Sequence, residues 1–81
     1  MTRLVLEGTR ALNRIEVMDW LRGHGFTTYD VTPLPDGAPQ NGESQRFAFT
    51  TDDSSARRAL AILQGLAIGR SVITIRQGPP N

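Results

Sequence analysis

Short apolar stretches with strand-like alternation and stretches with helical spacing follow one another along this chain, and their order limits its folds more than any other feature. Arg3-Leu4-Val5-Leu6-Glu7 reads as a short strand closed by Gly8. A helix follows. Asn13 and Glu16 have the spacing of a capping box, and Leu12 and Val17 that of a hydrophobic staple. Ile15, Val17, Met18 and Leu21 share one broad helical face, and Gly23 and Gly25 end the helix. Phe26 to Val31 is rich in aromatic and β-branched residues and reads as a second strand, stopped by Pro33 and Pro35. Asp36 to Ser44 is a polar loop, long for a hairpin connection. Arg46-Phe47-Ala48-Phe49-Thr50 reads as a third strand.

Asp52-Asp53-Ser54-Ser55 supplies N-caps and negative charge for a second helix, on which Ala56, Ala59, Leu60 and Leu63 repeat at helical spacing. Gly65 suits the end of that helix and Gly69 a tight turn. Ser71 to Arg76 then alternates as a last strand, with Ile73 and Ile75 on one face. The order β-α-β-β-α-β predicts an α+β, ferredoxin-like sandwich: a four-stranded antiparallel sheet, two helices on one face, and the other face open to solvent. Residues 1–77 are expected to form this single domain, with 78–81 a flexible tail.

Eighty-one residues leave room for one domain. There is no cysteine, so neither a disulfide framework nor a thiolate metal site supports the fold, which suits a reducing compartment. No apolar run approaches the ~20 residues of a membrane span, and the first strand is too short for a signal peptide. A cytoplasmic protein without a membrane partner is the expectation. A net charge of +1 and a pI near 8.5 are too mild to argue for a nucleic-acid partner by themselves. All nine basic residues are arginine. Arginine suits forked phosphate contacts and stacking on bases, although a GC-rich genome produces the same bias.

The second half resembles an RNA-recognition motif (RRM) domain. Ala56-Arg57-Arg58-Ala59-Leu60-Ala61-Ile62-Leu63-Gln64-Gly65, followed by Ile68-Gly69-Arg70, is similar to the family's Ala-x-x-Ala-Leu-x-x-Leu-x-Gly pattern and the Gly-Arg before its last strand. Gln45-Arg46-Phe47-Ala48-Phe49-Thr50-Thr51-Asp52 resembles the RNP1 signature of the third strand. It keeps both central aromatics and the small residue between them, and lacks the leading basic residue, the glycine and the final aromatic. Leu4-Val5-Leu6-Glu7-Gly8 is a degenerate RNP2, with Val5 in the aromatic place.

The resemblance implies that Ala48 packs under the helices while Phe47 and Phe49 project from the open face. Two rings there would stack splayed bases, at roughly 1–3 kcal/mol per base. Arg46, Arg76 and Arg3 would supply charge, Gln45 and Gln77 would bond base edges, and Val5 would lie in the same surface. A one-residue change of register reverses this arrangement. It buries both rings and turns Arg46, Ala48 and Thr50 outward. Glu7 and Asp30, expected on the open sheet, oppose phosphate binding.

Trp20, at the margin of the apolar stripe, is expected to be partly buried, and Tyr29 to lie in the core by parity with Val31. Arg57-Arg58 reads as a solvated helix face. His24, the only histidine, has no second metal ligand nearby and suits a helix end. No catalytic set, cofactor loop or metal spacing is present, so no enzyme is expected. The expected function is non-enzymatic binding of single-stranded RNA, or single-stranded DNA, on the sheet. The alternative is an RRM-like interaction or regulatory module with a protein partner or an edge-to-edge homodimer, of a size that suits a virus or mobile element. A ferredoxin-like small-ligand domain is a third reading.

Overall fold

The computed structural model describes residues 1–34 and 43–78. Its elements are β1 (Thr2–Asn13), α1 (Arg14–Gly23), β2 (Thr32–Pro33), β3 (Glu43–Thr51), α2 (Asp53–Ile62), β4 (Ala67–Ile68) and β5 (Ser71–Gln77). They form an α+β fold with one antiparallel sheet in the order β2-β3-β1-β5-β4. The sheet has five strands, not the expected four. The added strand, β4, exists because Gly69, at φ 62°, lets the chain reverse at once, so that Ile68 pairs with Ser71 and Ala67 with Val72.

The alternation of β1 sets the core. Leu4 and Leu6 leave one face and stand opposite Phe49 and Phe47 of β3. Ile75 stands opposite Leu6 on the other side. Val17 and Leu21 of α1, and Ala56, Ala59 and Leu63 from α2 and its end, join the same cluster, so both helices pack on that face. Met18, Trp20 and Leu60 lie partly buried against it.

Local signals fix the helix ends. Asn13 accepts from Ile15 N at 2.9 Å, and Glu16 accepts from Asn13 N at 3.4 Å, completing the capping box. Asn13 is also the last residue of β1, opposite Glu43, so strand and helix meet without a loop. At the other end Gly25 has φ 85°. Phe26 N bonds Leu21 O and Gly25 N bonds Arg22 O, both at 3.0 Å, which makes a Schellman turn. Arg58 of α2 donates to Gly25 O at 3.2 Å and lies 4.6 Å above the Phe26 ring, so it is a tether between the helices.

The Schellman turn draws Phe26 into the helix cap, and the expected strand over Phe26–Val31 does not form. The paired segment is Thr32–Pro33, opposite Ala48 and Phe47. Pro33 is tolerated there because β2 is an edge. Parity with Val31 therefore fails for Tyr29, which is 65 % exposed rather than in the core. Its N–H bonds Thr50 O at 3.2 Å, and Asp30 Oδ1 accepts from Thr50 N at 2.8 Å. The expected loop over Asp36–Ser44 lies outside the described residues up to position 42, and Glu43 and Ser44 already belong to β3. Gly78, expected in the frayed tail, donates to Arg3 O at 2.8 Å.

Gly8 does not close the first strand. β1 continues past it through a bulge, where its register against β3 shifts between Glu7 and Leu12. Ser71, buried beneath the bulge, takes Arg10 N at 3.0 Å and gives its own proton to Arg10 O at 2.9 Å. A β-carbon on Gly8 would run into that hydroxyl.

Gly8→Ala is therefore expected to cost about 1–3 kcal/mol in urea unfolding through overpacking. Gly23→Ala, whose β-carbon meets nothing within 4 Å, should instead be neutral or stabilising by up to about 1 kcal/mol. The N-cap of α2 gives a second expectation. Hydrogen bonds from the Ser54 hydroxyl and from Ser55 hold the Asp52 carboxyl at about 2, below the ordinary 3.8. Because the folded value is the lower one, the carboxylate's contribution is complete above about pH 4 and lost as pH falls through about 2. The melting-temperature gap between wild type and Asp52→Asn should be constant near neutrality and close over that acidic window.

Candidate interaction face of the sheet

The face of the sheet away from the helices carries the side chains that alternate with the core set. On β1 these are Arg3, Val5 and Glu7. Opposite them on β3 stand Thr50, Ala48 and Arg46, in that order. On β5, Arg76 stands opposite Val5 and Thr74 opposite Glu7. Thr32 of β2 extends the row of Ala48.

Arg3, Arg46 and Arg76 thus surround a shallow apolar centre of Val5 and Ala48. These two are only 5 % and 4 % exposed although they lie on the outer face. Arginine stems can cover apolar surface in this way, and the Nε atoms of Arg3 and Arg46 are themselves buried. Glu7 is exposed and lies between Arg46 and Thr74.

Phe47 and Phe49 are not part of this face. They are 0 % and 1 % exposed, inside the core beneath the helices. The β3 register is the one that turns Arg46, Ala48 and Thr50 outward, so no platform for stacking bases exists at these two positions. The reason is core volume. The chain has three phenylalanines, and all three are buried. Burying a ring contributes more than Ala48 could in the same place.

Of the eight residues expected to contact RNA, the structure brings together Arg3, Val5, Arg46 and Arg76. It separates the others. Gln45 donates to Thr9 O of the β1 bulge at 3.1 Å. Gln77 is opposite Leu4 and shares the helix-side face by alternation. Asp30, expected on the open sheet, takes Thr50 Oγ1 at 2.6 Å at the β3 edge. Thr50, Thr74 and Thr32 belong to the face and carried no sequence signal beyond strand parity.

Outside this face the chemistry is sparse. Among the described residues no three His, Cys, Asp or Glu side chains gather as a metal site. None of their helices is long and apolar enough to cross a membrane. Trp20 and His24 have ring centroids 4.4 Å apart at the end of α1. Asp53 is engaged by the Thr2 hydroxyl at 2.6 Å and the N-terminal amine at 3.2 Å.

The core position of the rings makes a direct expectation. Phe47→Ala with Phe49→Ala should unfold the domain, because each truncation costs roughly 3–5 kcal/mol against a total near 4–12 kcal/mol for a chain of this size. Loss of the far-ultraviolet circular dichroism of the fold in the double variant checks it.

Comparison with known protein families and with curated proteins finds no match for this sequence.

Proposed function

We propose that this domain is a non-enzymatic interaction module of RRM-like, ferredoxin-like architecture, whose open sheet face docks a protein partner. Two features support the architecture. Leaving aside the two-residue β4, the strands run β2-β3-β1-β5. Both helices pack on one side of them.

One observation carries the choice of partner. The two rings that would stack bases are sealed in the core, while the open face offers three arginines, one glutamate and threonines around a small apolar centre. Arginine is among the side chains enriched at protein interfaces, and it pairs in forked geometry with carboxylates. Glu7, on the central strand of the face, suits a basic group of the partner and repels a phosphate chain. The partner that fits is a protein surface bearing a carboxylate opposite Arg76, the exposed arginine of the face, with one basic group opposite Glu7.

A second reading rests on the excess of arginine over carboxylate on the face. Single-stranded RNA or DNA would then be held by its phosphates without base stacking. Such binding would be weak, tolerant of sequence and steeply dependent on salt.

Backbone amide shifts during titration with random single-stranded RNA, at low and at moderate salt, separate the two readings. The expected result is no shift confined to residues 3–7, 46–50 and 74–76. A shift confined there and weakened by salt favours the phosphate reading and overturns the first. In parallel, immobilised protein is offered a nuclease-treated lysate of its source organism. A partner should be retained by wild type and by Arg57→Glu on the helical side, and lost with Arg76→Glu on the sheet.

A further inference from the structure

The outer edge of β5 is closed one residue at a time. Gly78 N bonds Arg3 O on β1, so alternation turns the N–H and C=O of the odd-numbered residues of β5 away from β1. Ser71 meets Ile68 of β4. Ile73 N donates to Leu66 O at 2.8 Å, and Ile73 O accepts from Gly65 N at 2.9 Å. There the neighbouring main chain ends, and a side chain takes its place. Gln64 Oε1 accepts from Ile75 N at 2.9 Å, and Gln64 Nε2 donates to Ile75 O. A primary amide carries one acceptor and two donors, so a single glutamine stands in for a residue of an adjacent strand. Gln77, the next outward residue, has no hydrogen bond on that side among the described residues.

We propose that Gln64 closes a latent self-pairing edge. When it is removed, Ile75-Arg76-Gln77 pairs antiparallel with the same segment of a second copy of this chain. The occupant is a second copy because the exposed pattern is self-complementary. In an antiparallel two-fold pairing centred on Arg76, Ile75 of each copy stands opposite Gln77 of the other. Every outward N–H and C=O of those residues then finds a partner, with both sheets continuing into one another.

Arg76 is a second guard. The two-fold axis sets the Arg76 side chains directly opposite each other on the same open face, with Cα atoms about 4.5–5.5 Å apart. Like charges in that position destabilise the pair. The edge therefore carries a plug and a repulsive charge, and both must be overcome before copies associate.

Light-scattering mass over a concentration series tests the proposal, with amide exchange of Ile75 measured in dilute samples. Wild type should stay at 8.9 kDa. Gln64→Ala should rise towards twice that mass with concentration, and its Ile75 amide should exchange roughly tenfold faster when dilute and slow again on association. Gln64→Ala with Arg76→Thr should associate at a lower concentration. Salt should promote association of the single variant and not of the double one.

Gln64→Glu gives an independent reading. Its carboxylate cannot donate to Ile75 O, whereas the protonated acid can. Association should therefore appear above the carboxyl titration and fall away below it. A folded Gln64→Ala that keeps the monomer mass throughout overturns the proposal. So does association of Gln64→Glu that ignores pH, or association of either variant that leaves Ile75 exchange unchanged.

Discussion

Leu6 opposite Phe47, and Leu4 opposite Phe49, is the contact from which the rest of the molecule is built. It joins the two central strands, and it decides which of two equivalent faces becomes the core. Side chains alternate with a period of two, so this one choice places every other residue of β1, β3 and β5. It sends Val17, Leu21, Ala56 and Ala59 of the helices to the phenyl rings. It leaves Arg3, Arg46 and Arg76 to the solvent side. The arginine face is thus a by-product of packing the largest side chains where the helices can cover them.

A sheet in so short a chain has long edges for its size, and side chains finish what strands leave undone. On β3, Asp30 takes Thr50 N, and the Ser44 hydroxyl takes Arg46 N at 3.2 Å while donating to Leu34 O at 2.9 Å. On the far side of the Thr32–Pro33 segment, Arg14 donates to Val31 O at 2.8 Å, and Pro33 has no N–H to offer. Buried or half-buried main-chain groups are costly to leave unpaired. Each of these polar residues spares the fold the length of another strand. The same closures discourage other chains from adding to the sheet.

Local chemistry was the legible part of the sequence. The Asn13–Glu16 box, the Asp52 cap, and the glycines at 25 and 69 act over a few residues, and each stands where its spacing predicts. The β3 register was not legible. Arg46-Phe47-Ala48-Phe49-Thr50 alternates equally well in either orientation, and resemblance to a nucleic-acid signature favoured the wrong one. Only the demand of the whole core, which needs all three phenylalanines, decides it. The second strand was lost for a related reason: Phe26 satisfies the end of α1 and the core at once, which outweighs its strand propensity. The bulge was hidden because Gly8 and Ser71, far apart in sequence, acquire meaning only where they touch. Of the candidate face, Arg3, Val5, Arg46 and Arg76 were found from sequence, while the roles of Gln45 and Gln64 depend on where other segments come to rest.

Asn13 ends a twelve-residue strand and caps a helix in the same position. A junction without slack behaves as a rigid elbow. The direction in which β1 leaves the sheet therefore sets the direction in which α1 begins, because no loop lies between them to change it. At the far end of α1 the Arg58 hydrogen bond to Gly25 O fixes where α2 lies beside it. Strand, first helix and second helix are thus placed in series, each by the one before.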